Sequence, residues 1–196
     1  MTENSRLDQA FEAFDAVNKT DPNTFTWQGQ EWPQEFFLAN KLTDWVLRLE
    51  PNASDALRLA SRCQHIGRWQ IARREYPEGR IGYLTWRKAL ARHHADMAAT
   101  ILRDLNFEDS TIERVQTILL KRGIKQDAEV QVMENALCLV FLQYQFEDFR
   151  VGNEEKIVDI IQKSLLKMDE AGRQQALTLE YSPQGLAIIK EALAGL

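Results

Sequence analysis

The sequence predicts an all-α protein: a single helical domain of about eight or nine helices. Three observations point there. Apolar residues recur at spacings of three and four along nearly the whole chain. Helix-start and helix-stop residues punctuate those stripes. No stretch alternates apolar and polar residues convincingly enough for a strand. The longest apolar run, Ala136 to Leu142, is seven residues, far short of the roughly 18 a membrane span needs.

The elements follow in order. Leu7, Phe11 and Phe14 form a short first stripe. Asn18 to Pro33 holds two prolines with Gly29, Thr20 and Thr24, and reads as a loop pinned to the body by Trp27 and Trp32. Leu38, Leu42, Trp45 and Leu49 then lie on one helix face. Pro51 breaks that helix, and Asn52 suits the cap of the next. Its face is Ala56, Leu59, Cys63 and Ile66, ending near Gly67. Arg68 to Arg80 is expected to be an ordered loop punctuated by Pro77 and Gly79. A long helix from about Gly82 to Leu105 carries Tyr83, Trp86, Leu90, His94, Met97 and Ile101. Ser110 and Glu113 have capping-box spacing, and Gly123 suits the C-terminal cap of the helix that follows. The segment from Gln126 to Asp148 is the most apolar and is expected to be the central helix. Two or three helices complete the chain, the last capped by Ser182 with Pro183 at its first position. We divide the chain into an N-terminal helix and Trp-containing loop (1–33), a core helical domain (34–180) and a C-terminal helix (181–196).

Composition narrows the class. Of 196 residues, 44% are apolar and 27% charged, an ordinary globular balance. The start, MTENSRLDQAFEAFD, has neither a basic end nor an apolar core, so it does not read as a secretory signal. Cys63 and Cys138 cannot build a disulfide framework or a zinc ribbon alone. A cytoplasmic protein with reduced thiols and no membrane partner is expected.

The net charge is −5, which argues against a general nucleic-acid binder, but the distribution is uneven. Arg62, Arg68, Arg73, Arg74, Arg80, Arg87, Lys88 and Arg92 are opposed locally only by Glu75 and Glu78. That segment is +6, and the other 165 residues carry −11. All three histidines, His65, His93 and His94, lie in or beside it, with Trp69, Tyr76, Tyr83 and Trp86. A basic, aromatic island in an acidic protein suggests an anion site. Arginines offer paired donors to phosphate, and aromatic faces can stack on a base. The alternative is that these arginines pair with the protein's own acids.

His94 lies on an apolar stripe and points toward the core, either as a ligand or as a core histidine bonded to a backbone carbonyl. Alone, His65 reads as a surface residue near its helix end. Glu134 stands one turn before the apolar run, where burial demands a cation, an arginine or a metal as partner. Two histidines and a carboxylate from three helices would suit Mn, Fe or Zn. There is no phosphate-binding glycine loop, nucleophile elbow or dinucleotide fingerprint.

The runs QHIGRW (Gln64–Trp69), YPEGRIGYLTWR (Tyr76–Arg87), HADMAATIL (His94–Leu102), ERVQTILLK (Glu113–Lys121), ENALCLVFL (Glu134–Leu142) and KMDEAGR (Lys167–Arg173) resemble the domain of unknown function 4202 family. The resemblance spans roughly residues 34 to 180. That family has no settled activity. Its members typically carry Glu-Asp where this chain has Glu134 and Asn135. More distantly, Gln64-His65-Ile66-Gly67 is similar to the His-Asp-Ile-Gly element of HD-domain phosphohydrolases, with Gln64 in the histidine place and His65 in the aspartate place. This resemblance implies an HD-like helical domain. His65, His94 and Glu134 would then be catalytic groups and ligands of one divalent metal (Mn, Fe or Zn).

The expected function is binding of a phosphorylated small molecule or nucleotide through Arg68, Trp69, Arg73, Tyr76, Arg80, Tyr83, Arg87 and Lys121. If the protein is an enzyme, the expected chemistry is metal-dependent hydrolysis of a phosphate ester. The alternatives are a non-catalytic anion- or RNA-binding module, or a protein-interaction domain presenting Trp27, Trp32 and Trp45.

Overall fold

The computed structural model describes residues 5–196, so the first four residues of the segment read as lacking a signal lie outside it. Ten helices and one hairpin follow in order: α1 (Arg6–Asn18), β1 (Thr24–Trp27), β2 (Gln30–Pro33), α2 (Gln34–Leu49), α3 (Asp55–Cys63), α4 (Gly79–Asp104), α5 (Asp109–Leu119), α6 (Ala128–Val140), α7 (Phe146–Arg150), α8 (Ile157–Lys167), α9 (Glu170–Leu177) and α10 (Pro183–Ala194). The fold is all-α apart from that hairpin.

The core forms where α2, α3, α5 and α6 pack together, with α4 against α5 and α8 paired with α10. Helix α6 is the central element: Met133, Ala136 and Leu139 are fully enclosed. Phe14, Leu57, Leu59, Ile118 and Phe146 are fully buried in the same core. Truncating any one of the buried leucines to alanine costs about 2–5 kcal/mol. Arg114 of α5 locks the start of α6 by bonding both Asp127 oxygens (2.5 and 2.8 Å) and Glu129 (2.5 and 2.8 Å). Asp127 itself caps α6 through the amides of Glu129 and Val130.

Several local expectations are corrected. The loop between Asn18 and Pro33 contains an antiparallel hairpin with Trp27 opposite Gln30. Its two-residue turn, Gln28-Gly29, has φ of 52° and 78°, the left-handed pair that matches strand twist. Trp27 packs edge-on to Tyr144 at 4.9 Å, and Phe25 stacks on Phe37 at 4.9 Å. The hairpin is therefore held by aromatic contacts, as Trp27 and Trp32 suggested, and these side chains are committed to the body. Trp45, 3% exposed, is not a partner surface.

Ser54, not Asn52, caps α3, because its hydroxyl reaches the Leu57 amide at 3.1 Å. Helix α5 starts two residues earlier than the capping box requires, with Glu108 at the cap, which places Ser110 inside the first turn. The central helix is interrupted: a π-helical turn, Phe141–Gln145, lies between α6 and α7. It shifts the helical register, so that Gln143 accepts a hydrogen bond from the Trp45 indole (2.7 Å) while Tyr144 meets the hairpin. Such turns are frequently found at functional sites. The Ser182–Pro183 start of α10 is as predicted.

Asn135 has a structural explanation. Its Nδ2 donates to Asp169 Oδ1 (2.8 Å), and its Oδ1 accepts from the Asp169 amide (3.1 Å) and from Gln131 (3.0 Å). Asp169 in turn caps α9 through the Gly172 amide. An aspartate at 135 would set a buried carboxylate against that of Asp169. Asn135→Asp should therefore destabilise the fold by about 1–3 kcal/mol near neutral pH. The introduced acid would have a raised pKa in the folded state, so the loss should shrink as pH falls toward 4. Urea titrations at two pH values check this, and Asp169→Asn in the same chain should recover part of the loss.

Candidate functional site

Glu35 is the second residue of α2 and is 3% exposed. Pro33 supplies no side-chain cap, so the loop after α1 does so instead: Asp21 accepts the Glu35 amide (3.0 Å) and the Asn23 carbonyl accepts that of Gln34 (2.9 Å). The Glu35 carboxyl faces inward. Its oxygens lie 3.7 Å from His65 Nδ1 and 3.7 Å from Arg68 Nε. Burial pushes its pKa up to about 7; Arg68 opposes this and Asp21 adds to it. The Arg68 guanidinium lies over the Trp86 ring at 5.4 Å.

Gly67 makes this arrangement reachable. Its φ of 65° turns the chain sharply after Ile66, and a side chain there would strike Met97. The turn aims the Ile66 carbonyl at α4, where His94 Nδ1 meets it at 2.7 Å. A carbonyl only accepts, so Nδ1 carries the proton and Nε2 is left as an acceptor. Burial, chiefly, lowers the His94 pKa to about 4. His65 also lies well below its ordinary value, through burial and then the nearby Arg68, His94, Lys121 and Arg87. Both imidazoles are neutral at pH 7.

Glu134, on α6 and 3% exposed, is paired with Lys121 and lies 3.9 Å from Lys167. The partner that its burial demanded is therefore a pair of lysines. Lys121 stands in an unusual place. The bonds Lys121 N to Ile118 O and Arg122 N to Thr117 O close the end of α5 as a Schellman motif. Lys121 occupies its left-handed position with φ of 54°, where glycine is usual. Gly123, expected to be this cap, comes two residues later. A side chain held in that region costs about 1 kcal/mol or more, and here it delivers an ammonium group to Glu134.

These groups line one cavity of about 450 Å³, containing Glu35, His65, Arg68, Tyr83, Arg87, Lys121, Glu134 and Lys167. Leu38, Leu137, Phe141 and Phe149 supply its apolar wall. A chamber of about 220 Å³ adjoins it, sharing His65, Arg68, Arg87 and Lys121 and adding Gln64 and His94. Of the eight residues expected to bind ligand, Arg68, Tyr83, Arg87 and Lys121 line the cavity, while Trp69, Arg73, Tyr76 and Arg80 do not. Arg73 is engaged by the Tyr76 carbonyl (2.9 Å), and Arg80 is exposed at the start of α4. The basic island thus divides, and Arg62 is taken by Asp15 at 2.7 Å. Sequence reasoning missed Glu35, Lys167 and Gln64. The Glu35 signal was an acid directly before the Phe36–Phe37 pair, two residues after Pro33.

The metal set does not assemble. His65 and Glu134 line the cavity and His94 its inner chamber, but Glu134 is held by lysines. Among the described residues no group of three or more His, Cys, Asp or Glu is placed to hold a metal ion. The cationic surroundings of His65 also oppose a divalent ion.

The sequence profile described as Domain of unknown function (DUF4202) matches residues 8–189. No curated protein and no solved structure matches the chain.

Two outcomes are expected. Lys121→Gly and Lys121→Ala both remove the ion pair, but only glycine relieves the backbone. The glycine variant should therefore be the more stable by about 1 kcal/mol in urea unfolding. Glu35 has a folded pKa above its unfolded value of 4.5. As an acid it then binds more protons when folded, and stability falls as pH rises from 4.5 to 7. Glu35→Gln should gain on the wild type by up to about 3 kcal/mol across that window and show no gain below it.

Proposed function

The chain belongs to the DUF4202 family, and from that premise we propose that it binds a phosphorylated small molecule or nucleotide in the cavity between α2, α4, α6 and α8. One observation carries the reading. Arg68, Arg87 and Lys121 lie near a neutral His65, Lys167 lines the same cavity, and Glu35 and Glu134 balance only part of their charge. Arg87 has no ion-pair partner among the described residues. A phosphate dianion supplies the missing charge, and guanidinium groups match its oxygens in pairs. Tyr83, exposed at the rim, and Phe149 offer faces to an attached organic group or base.

A second reading, hydrolysis of the bound ester, is favoured by Glu35. In its ionised form, a carboxyl that titrates near 7 beside a cationic cavity can take a proton from water as the oxygen attacks phosphorus; the bond from phosphorus to the ester oxygen breaks, the alcohol leaves with a proton returned from the Glu35 carboxyl or solvent, and the arginines balance the developing charge. No step of this passes through a metal. The size of the cavity fits a small molecule better than an RNA strand. No described helix is long and apolar enough to cross a membrane. Cys63 and Cys138 are free and buried, which agrees with the cytoplasmic location we propose.

Inorganic phosphate should raise the melting temperature by linkage. Arg87→Ala and Arg68→Ala should each remove most of that shift, and Arg80→Ala, outside the cavity, should leave it intact. Equal behaviour of the three variants in a thermal-shift series would place the anion elsewhere.

A further inference from the structure

Two buried polar atoms on residues that line the smaller chamber are left unexplained by the phosphate reading. Gln64 and His94 are 4% and 2% exposed, and Gln64 Oε1 and His94 Nε2 have no hydrogen-bond partner among the described residues. An unpaired buried acceptor carries an uncompensated desolvation penalty. Both belong to residues that line this chamber, together with His65. The His94 acceptor is not adventitious. The Ile66 carbonyl holds Nδ1 as the donor, so Nε2 is fixed as a lone pair.

The rest of the chamber indicates what could satisfy them. Its other lining groups are Lys88, Leu90, Ala91, Leu119 and Leu120, with His65, Arg68, Arg87 and Lys121 shared with the outer cavity. None is a carboxylate. A ligand ammonium would face three or four cations without a counter-charge, so the donor that enters here is uncharged. Arg68, Arg87 and Lys121 stand on the boundary between the two spaces and can hold a phosphate while its substituent projects inward.

We propose that this chamber is a hydroxyl-binding subsite, and that the ligand is a phosphate ester whose organic part carries a hydroxyl close to the phosphate. One hydroxyl donates to His94 Nε2 and a second to Gln64 Oε1. A polyol or sugar phosphate meets this description, and an alkyl phosphate does not. The inference rests on the phosphate reading above, and inorganic phosphate serves as the probe that separates the two.

The test is calorimetric titration of the full chain with inorganic phosphate, propyl phosphate and glycerol 1-phosphate. The last two share chain length and charge and differ only in two hydroxyls. Wild type should bind glycerol 1-phosphate at least about tenfold more tightly than propyl phosphate, as one to two satisfied acceptors allow. His94→Asn keeps a donor near the Ile66 carbonyl and removes the Nε2 acceptor. Gln64→Leu keeps volume and removes the amide. Each should reduce the preference to about threefold or less without changing the affinity for inorganic phosphate, and Gln64→Leu preserves the test if His94→Asn fails to fold. Equal binding of the two esters by wild type, with phosphate still bound, overturns the subsite alone. A preference that survives in both variants does the same. Failure of all three probes to bind overturns the phosphate reading with it.

Discussion

Two carboxylates are buried where the helices meet, and the arrangement around the cavity follows from the need to neutralise them. Glu35 opens α2 and Glu134 lies on α6, each 3% exposed. An ionised carboxylate in such a place is several kcal/mol unfavourable unless paired or protonated. The two are treated differently. Glu134 receives Lys121, held in a strained backbone conformation, and Lys167 from the end of α8. Glu35 receives Arg68 at 3.7 Å, a neutral His65 and help from the Gln34 side chain, and much of the cost appears as a raised pKa. Cations gathered for these two acids, together with Arg87, leave the cavity with a surplus of positive charge.

Structural support is spent on that arrangement. Arg114 ties α5 to α6 and so fixes the helix end that presents Lys121. Gln131 bonds the Lys167 carbonyl at 3.0 Å, anchoring the end of α8 near Glu134. Asp21 seats the first turn of α2. The π turn supplies Phe141 and Gln145 to the cavity wall. Arg114, Gln131 and Asp21 lie outside the cavity lining, yet the bonds of each set the position of a charged group within it. A left-handed lysine is less stable than glycine at the same position, and a buried acid near neutrality is less stable than glutamine. Both are local costs at the cavity, of the kind that cluster at functional sites.

Much of this was legible in the residues. The apolar stripes gave the helices, since a period near 3.6 has few other physical meanings. The stripe position of His94 predicted its burial, and its carbonyl partner was one of the two alternatives open to it. The demand of Glu134 for a partner was also clear, although not that the partner would be lysine from a helix cap 13 residues earlier. Hidden features were those set by tertiary packing. The Trp27 and Tyr144 contact converts a loop into a hairpin. The Schellman bonds place Lys121 where glycine was expected. Arg73 and Arg80 looked equivalent to Arg68 and Arg87 by charge, and only the course of the chain after Gly67 separates them. Glu35 was missed because its helix was read from Leu38, three residues too late to include it.

The central claim is that the surplus positive charge of this cavity is an oxyanion site. A crystal soaked in tungstate, a phosphate mimic with strong anomalous scattering, tests it most directly. The account predicts one dominant anomalous peak within hydrogen-bonding reach of Arg68, Arg87 and Lys121. Peaks confined to Arg73, Arg74 or Arg80, with none in the cavity, would contradict it.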